Sequence, residues 1–222
     1  PLIIKASAGG GGKGMKVVYE EESLEEAYNL TKSEAAANFG NDEVYVEKFL
    51  KNPKHIEFQI FCDNYKNVIH LGERDCSIQR RHQKLIEEAP AFKINEEEKS
   101  KVLKTIINAM KDIKYRGAGT IEMLYEENKF YFIEMNTRLQ VEHPVTEMIT
   151  GVDIVAEQIK AASGEKLKIV QSDIQFKGHS IECRINAEDP NNFNPSPGKI
   201  NVYHPPGGNG VRIDSCIYNN YN

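Results

Sequence analysis

The sequence has 222 residues, of which 40% are hydrophobic and 27% are charged, a composition typical of a folded globular protein. Its 28 Lys and Arg residues against 33 Asp and Glu residues give a net charge of −5, which argues against a protein that mainly binds nucleic acid or a membrane surface. No apolar run approaches the roughly 20 residues that a membrane-spanning helix needs. The four cysteines show neither a CxxC pattern nor metal-ligand spacing, so we expect reduced thiols in a cytoplasmic protein.

The first half of the chain alternates strand-like segments with one helix. Strands are predicted, in chain order, at residues 2–6, 15–19, 44–50, 55–61 and 68–71. Ser23 with Glu26 three positions later fits a capping box, which predicts a helix from there to about Phe39.

The second half predicts a helix, a hairpin, two more helices and a last strand. Asn95 is the expected cap of the first of these helices, whose apolar residues keep helical spacing. The other elements are predicted at residues 119–125, 130–135, 145–149, 152–162 and 179–186. This pattern predicts an α+β architecture with mainly antiparallel sheet, and a domain boundary near residues 172–178. Because the chain starts at Pro1 without Met and has strand-like residues near both ends, we expect a piece of a longer protein.

A glycine-rich loop joins the first two predicted strands. Gly9, Gly11 and Gly14 match G-x-G-x-x-G, but a dinucleotide-binding loop needs a helix next, and here a strand-like segment follows. The spacing before Lys13 and the Gly after it also exclude a Walker A loop. A strand–loop–strand flap that closes over nucleotide phosphates remains, with Lys5 and Lys13 supplying positive charge. The alternative is a hairpin without a ligand.

The predicted hairpin carries two glutamates in otherwise apolar strands. Its register places Glu122 opposite residue 133 or 134, so Glu122 and Glu134 become neighbours, and Asn136 lies on the face of Glu134. Two carboxylates and an amide oxygen suit Mg²⁺ or Mn²⁺ better than zinc. The alternative is the polar side of an edge hairpin. We favour the metal site because apolar neighbours suggest that both faces are covered, namely Leu124, Phe130, Phe132 and Met135.

Residues 73–84 concentrate positive charge in an acidic chain, through Arg74, Arg80, Arg81, His82 and Lys84. Recognition of an anion is the functional interpretation, a solvated basic loop is the structural one, and RNA binding is disfavoured because aromatic residues are not interleaved. After the hairpin, Arg138 is suited to bind a small oxyanion and Glu142 to take its proton. His143 and Glu147 have the spacing of two zinc ligands, although such a pair is more often structural.

Three of these stretches closely resemble biotin carboxylase, the ATP-grasp component of biotin-dependent carboxylases such as acetyl-CoA carboxylase. They are residues 5–15, residues 73–84, and the run Glu-Met-Asn-Thr-Arg-Leu-Gln-Val-Glu-His-Pro-Val-Thr-Glu at 134–147. The resemblance extends over the whole chain. It implies an ATP-grasp fold with a partial lid at 1–49, a body with the metal and bicarbonate site at 50–176, and the start of a C-terminal domain at 177–222. It also implies MgATP-dependent carboxylation of biotin by bicarbonate through carboxyphosphate.

The resemblance further implies a role for each matching residue. The nucleotide would be bound by Lys5 and the backbone of Gly11 and Gly12 at the phosphates, by Glu47, Lys48, Phe49 and Leu50 at adenine, and by His55, Gln79 and His82 near the ribose. Mg²⁺ or Mn²⁺ would be held by Glu122, Glu134 and Asn136. Bicarbonate would be positioned by Lys84, Arg138, Gln140 and the backbone of Val141, with Glu142 as general base. Arg184 would face the ureido oxygen of biotin and stabilise its enolate.

The implied partners are a biotin carboxyl carrier protein and a carboxyltransferase, with a homodimer in the full-length enzyme and neither nucleic acid nor membrane. Thr137 and Pro144 favour acyl-CoA carboxylases over pyruvate carboxylase, and acetyl-CoA carboxylase of fatty acid synthesis is the expected parent. The alternatives are another bicarbonate-activating ATP-grasp ligase, against which Arg184 and the 134–147 run argue, and a non-catalytic or inactive ATP-binding fragment. The family's N-terminal domain and most of its C-terminal domain are expected to lie outside the sequence.

Overall fold

Two antiparallel sheets and four α-helices make up the ordered elements of the computed structural model, which describes residues 1–9 and 14–222. The strands are β1 (Leu2–Ala6), β2 (Met15–Val18), β3 (Val44–Lys48), β4 (Lys54–Cys62), β5 (Val68–Arg80), β6 (Gln83–Ala89), β7 (Gly117–Glu126), β8 (Lys129–Asn136) and β9 (Ser180–Cys183). The helices are α1 (Leu24–Phe39), α2 (Glu96–Asp112), α3 (His143–Thr150) and α4 (Ile154–Ala162). The predicted α+β architecture is confirmed.

The small sheet has three strands in the order β2-β1-β3, and α1 packs on it. Its apolar contacts are few, since Ile4, Ala6 and Val18 are its buried hydrophobic residues. The predicted helix end at Phe39 is confirmed, and Gly40 closes it with a left-handed φ of 69°. The predicted capping box at Ser23 is wrong. Ser23 ends a short 3₁₀ turn, and its hydroxyl donates to the Glu20 carbonyl at 2.9 Å, so it does not cap α1.

The large sheet has six strands in the order β8-β7-β4-β5-β6-β9. On β4 the predicted alternation is confirmed, because Ile56, Phe58 and Ile60 pack with the apolar face of α2 in the main core. Asn95 caps α2 as predicted, its side chain accepting from the Glu98 amide at 3.0 Å. The other face of β4 carries Glu57 and Gln59, and both are also fully buried. This buried polar face is the foundation of the site described below.

The hairpin of β5 and β6 replaces the expected short strand and basic loop. The strand predicted at residues 68–71 continues to Arg80, and the chain returns along β6 after a turn in which Arg81 and His82 have φ of 51° and 64°. Consecutive charged residues are typical of a solvated loop, so the sequence pattern did not predict the rest of β5. In the structure, the residues from Leu71 to Cys76 on this strand are buried.

The chain divides into two compact units, Pro1–Arg184 and Ile185–Asn222. Strand β9 pairs with β6 and belongs to the first unit. The second unit has a bridge between Ile200 and Tyr221. The functional division expected after residue 176 stays a prediction. Among the described residues, every helix is too short or too polar to cross a bilayer, and the four cysteines are free thiols.

Candidate functional site: a charged cavity on the large sheet

A cavity of about 300 Å³ lies on the polar face of the large sheet. Twelve of the described residues line it, and the sequence analysis named each of them: His55, Gln79, His82, Lys84, Glu122, Glu134, Asn136, Arg138, Gln140, Val141, Glu142 and Arg184. They come from β4, the β5–β6 hairpin, β7, β8, the segment before α3, and the residue after β9. Residues as far apart in the sequence as His55 and Arg184 therefore line one cavity.

Strand register places three glutamates side by side across the sheet. Glu57 on β4 pairs with Glu122 on β7, and Glu122 pairs with Glu134 on β8. The predicted neighbourhood of Glu122 and Glu134 is thus confirmed. Glu57 was missed, although its place among the polar residues of an alternating strand was a usable signal. Like charges directly opposite one another destabilise a sheet, so this row requires cations.

Lys84 supplies one of these cations. Its Nζ lies 2.9 Å from Glu122 Oε1 and 2.8 Å from Glu142 Oε1, and it also contacts Glu57. His55 adds a second contact, with Nε2 2.8 Å from Glu122 Oε2. Burial alone would raise the pKa of Glu122, but the hydrogen bonds from His55 and Lys84 outweigh it and lower that pKa to about 2. Glu122 is therefore a carboxylate at neutral pH.

Arg74 supplies the second cation, and it is fully buried, with 0% of its surface exposed. Its guanidinium donates to Glu57 Oε2 at 3.1 Å, to Gln59 Oε1 at 2.7 Å and to Gln140 Oε1 at 2.9 Å. Gln140 then donates from Nε2 to Glu122 Oε1 at 2.7 Å. The expectation that Arg74 belongs to an anion-recognition cluster is wrong, because its guanidinium donates to side chains within the protein. It fixes the side chains that form the floor of the cavity.

Glu142 joins the two basic residues at the other end of the cavity. It is 2% exposed, and its Oε2 accepts from Arg184 Nη2 at 2.9 Å while its Oε1 accepts from Lys84. Burial would raise the pKa of Glu142, but the charges of Lys84 and Arg74 outweigh that effect and the net pKa lies below its ordinary value. Arg184 is held from behind by Glu87, whose Oε1 accepts from Nε at 2.7 Å.

The expected metal ligands lie together at the β7–β8 end. The amide of Asn136 is 2.9 Å from Glu122 Oε1 and 3.4 Å from Glu134 Oε1. If the Asn136 amide group rotates by a half-turn, its oxygen takes the place of its nitrogen. Two carboxylates and this amide oxygen then fit a hard divalent cation. The expected coverage of both hairpin faces is wrong, since β8 is an edge strand and Phe132 is 61% exposed. Glu134 therefore faces solvent, which leaves room for a ligand.

Two other groups of metal-ligating atoms occur in the described part of the chain. His55, Glu57 and Glu122 form one, and Glu57, Cys76 and Glu142 form the other, with their ligand atoms within 4.8 Å of one another. Lys84 already contacts the glutamates of both groups. Burial also raises the pKa of the Cys76 thiol, so that it stays protonated and is a poor ligand. The first group shares Glu122 with the expected site, and the second contains this protonated thiol.

Several expected ligand-binding residues lie away from the cavity. Lys5 pairs with Glu47, Lys48 Nζ donates to the Tyr131 hydroxyl at 3.1 Å, and Phe49 packs edge-on against Tyr19. Leu50 is buried, and Gly11 and Gly12 lie outside the described residues. The adenine and phosphate roles of these residues stay predictions.

The pair with zinc-like spacing has a structural role at each position. His143 Nδ1 lies 2.9 Å from the Gln140 carbonyl, and Glu147 Oε1 accepts from the Ile154 amide at 2.6 Å. Each side chain is thus engaged with a backbone group of its own, as the structural interpretation of this spacing expects.

Two family models match the sequence. Residues 1–170 match the model described as carbamoyl-phosphate synthase L chain, ATP binding domain, and residues 182–222 match the biotin carboxylase C-terminal domain. The chain is 61% identical over 221 residues to the biotin carboxylase of Pseudomonas aeruginosa, covering 100% of this chain and 49% of that protein. It thus spans about half the length of the curated relatives it matches.

Solved structures agree in fold as well as in sequence. One is a biotin carboxylase from Campylobacter jejuni, solved as a beta-gamma-ATP complex, with a TM-score of 0.91, 55% identity, and coverage of 100% of this chain and 50% of that one. Another is the dimeric biotin carboxylase domain of the Hydrogenobacter thermophilus 2-oxoglutarate carboxylase, solved with MgADP, ADP and bicarbonate, with a TM-score of 0.89, 53% identity, and coverage of 100% and 49%. The chain therefore belongs to the ATP-binding domain family of the carbamoyl-phosphate synthase L chain, with an ATP-grasp fold, and it is similar to biotin carboxylases within that family.

Proposed function

We propose that the protein containing this chain is a ligase that carboxylates biotin with bicarbonate at the expense of MgATP. The observation that carries the proposal is the convergence of Lys84, Arg138 and Arg184 with Glu142 in one cavity, beside the carboxylates Glu122 and Glu134. One half of the cavity is thus suited to a small anion and the other to a cation that accompanies phosphates. The match of residues 182–222 to the biotin carboxylase C-terminal domain favours this reaction over carbamoyl phosphate synthesis.

MgATP would bind at the β7–β8 end and under the small sheet. Glu122, Glu134 and Asn136 would hold Mg²⁺, which neutralises phosphate charge during phosphoryl transfer. Lys5 and the backbone of Gly11 and Gly12 would contact the phosphates. Adenine would contact the segment from Glu47 to Leu50, which joins the two sheets, and the ribose would lie near His55, Gln79 and His82. A beta-gamma-ATP complex of the Campylobacter jejuni relative supports this assignment.

Bicarbonate would bind between Arg138, Lys84, Gln140 and the backbone of Val141. The lowered pKa of Glu142 keeps it ionised, which is the form that accepts a proton from bicarbonate. The resulting oxyanion attacks the γ-phosphorus of ATP, the bond to ADP breaks, and carboxyphosphate forms. Bicarbonate in the Hydrogenobacter thermophilus structure supports an anion site in this fold.

Biotin would approach Arg184 at the cavity wall. Nε and Nη2 of Arg184 are held by Glu87 and Glu142, and the described residues give no partner to Nη1. This nitrogen would donate to the ureido oxygen and stabilise the negative charge that develops when N1′ loses its proton. Carboxyphosphate then delivers its carboxyl group to N1′, releasing phosphate.

The finer assignment that we propose is the biotin carboxylase part of acetyl-CoA carboxylase in fatty acid synthesis. Thr137 and Pro144 in the 134–147 run support it. The complete enzyme would act with a biotin carboxyl carrier protein and a carboxyltransferase, and would form the homodimer seen in the Hydrogenobacter thermophilus relative. A carboxylated carrier offered to purified carboxyltransferases tests this assignment, with transfer to acetyl-CoA as the expected result.

A chimera tests the reaction. This chain would replace the matching half of the Pseudomonas aeruginosa biotin carboxylase, which supplies the remaining domains. We expect ATP hydrolysis that depends on bicarbonate and is accelerated by free biotin. The variant Glu142→Gln should lower turnover far more than ATP affinity, and the exposed Glu165→Gln is the matched control. Hydrolysis indifferent to bicarbonate and biotin would contradict the proposal.

A further inference from the structure

Two glutamates stand behind Arg184, outside the set assigned to the reaction above. Strands β6 and β9 are antiparallel, and their register places Glu87 directly opposite Glu182. Directly opposite residues share one face of a sheet, and Arg184, two positions after Glu182, follows on that face. Glu87 is fully buried and Glu182 is partly buried. The sheet therefore brings two acids together immediately behind the arginine.

The hydrogen bonds of this pair are incomplete. Glu87 Oε1 accepts from Arg184, but Glu87 Oε2 is buried without a hydrogen-bond partner among the described residues, and so is Glu182 Oε2. A buried polar atom without a partner costs free energy. Two carboxylates offer each other only acceptors. One proton converts one of them into a donor, which allows a hydrogen bond between the two carboxyl groups.

The surrounding charges also favour a proton here. The nearby cations are Arg74 on β5, Lys84 on β6 and Arg184 after β9. The nearby carboxylates are Glu142 before α3 and, through the contacts of Lys84, Glu57 and Glu122. Burial, together with the charges of Glu87 and Glu142, raises the pKa of Glu182 to about 7, and burial raises the pKa of Glu87 as well.

We propose that Glu87 and Glu182 share one proton and act together as the positioning device for Arg184. This inference rests on the proposed function only in the substrate, biotin, that Arg184 would receive. With one proton, the pair carries a single negative charge. This charge holds Arg184 at Nε, while Nη2 of Arg184 continues to donate to Glu142. Loss of the proton adds a second negative charge behind Arg184 and draws the guanidinium away from the cavity.

The proton itself is tested in the chain as it stands, labelled with ¹³C at glutamate carboxyls and titrated by NMR. We expect one glutamate to titrate between about pH 6 and about pH 8, far above the ordinary glutamate pKa of 4.5. That titration should disappear in Glu182→Gln and persist in Glu165→Gln, an exposed control. Absence of any glutamate titrating in this window would overturn the proposal, and this readout needs no enzymatic activity.

The positioning role is tested by the pH dependence of biotin use in the chimera. Glu182→Gln places a permanent N–H donor beside Glu87. In the unsubstituted chimera, KM for biotin should rise above about pH 7, whereas in the Glu182→Gln chimera it should not change with pH. Glu87→Gln removes the charge that holds Arg184 and should raise KM for biotin about tenfold more than KM for ATP. Equal pH profiles of the parent and Glu182→Gln would overturn the positioning role. A parent without biotin-dependent turnover would instead overturn the proposed function, and the NMR titration would still judge the acid pair.

Discussion

The two sheets of the first unit differ in whether their charged side chains are buried or exposed. The six-stranded sheet buries Arg74 and Glu57 completely and bonds them to each other and to neighbouring polar groups. The three-stranded sheet keeps its charged pairs at the surface, and the side chains of Lys5 and Glu47 are 23% and 45% exposed. A buried charge that loses its partner costs several kcal/mol, whereas an exposed pair contributes about 1 kcal/mol at most. Charges should therefore stabilise the fold in the large sheet, while those of the small sheet should matter mainly when a ligand binds.

The largest effect should come from Arg74→Met. This change leaves Glu57 and the side chains of Gln59 and Gln140 without their common donor inside the large sheet. We expect a loss of about 3–5 kcal/mol in the free energy of unfolding, measured by urea denaturation. Lys16→Met, which removes an exposed pair with Glu34 on the small sheet, is the matched control. Equal losses in both variants would remove the distinction between the sheets.

A smaller effect is expected from Lys84→Met. Glu122 keeps hydrogen bonds from Asn136 and Gln140, so the loss should be about 2 kcal/mol at neutral pH. The direction in which stability changes with pH follows from the lowered pKa of Glu122. Stability from this carboxylate is fully present above its ordinary pKa of 4.5 and is lost as pH falls toward about 2. The variant should be less sensitive to acid over this interval, which thermal unfolding at several pH values measures; a parallel shift at every pH would contradict this explanation.

The same contrast explains how far the sequence could predict the structure. Local signals worked where a side chain caps a helix, as at Asn95, and where apolar and polar residues alternate along a strand, as on β4. They also worked where a short turn sets the register, as between Glu122 and Glu134. They failed at β5, because buried charged residues look like a solvated loop until their partners are known. The partners of Arg74 lie up to 72 positions away in the chain, beyond the reach of any local pattern.

The lining of the cavity was predictable for a different reason. Composition and spacing identified the hairpin carboxylates with Asn136, the basic residues of the 73–84 segment, and Arg138 with Glu142. The family resemblance added lining residues such as Gln79 and Val141. Neither route found Glu57, Glu87 or Glu182, because a motif names residues that touch ligands and these residues act on other side chains. The error at Ser23 is local, since the three residues Glu21–Ser23 form a 3₁₀ turn before α1 begins.

Glu182 lies at the margin of the large sheet and should show an intermediate effect. Its pKa of about 7 exceeds the ordinary value of 4.5, so the folded state favours its neutral form. The charged form therefore destabilises the fold increasingly as pH rises from about 4.5 through 7. Glu182→Gln should match the unsubstituted protein near pH 4, below the ordinary pKa, and be more stable by about 1 kcal/mol near pH 8, after allowance for partial exposure. A difference independent of pH in paired denaturation curves would argue against this titration.

The smallest effect on stability should come from Lys5→Met in the small sheet. The pair of Lys5 with Glu47 is partly exposed, so its loss should change the free energy of unfolding by less than about 0.5 kcal/mol, as should the loss of Lys16. The two variants should separate only in binding. Lys5 is the proposed phosphate ligand, so we expect calorimetric titration to show MgATP affinity reduced about tenfold in Lys5→Met and unchanged in Lys16→Met. Equal affinities would place the phosphates elsewhere, and a large loss of stability would show that the small sheet depends on its charges as the large one does.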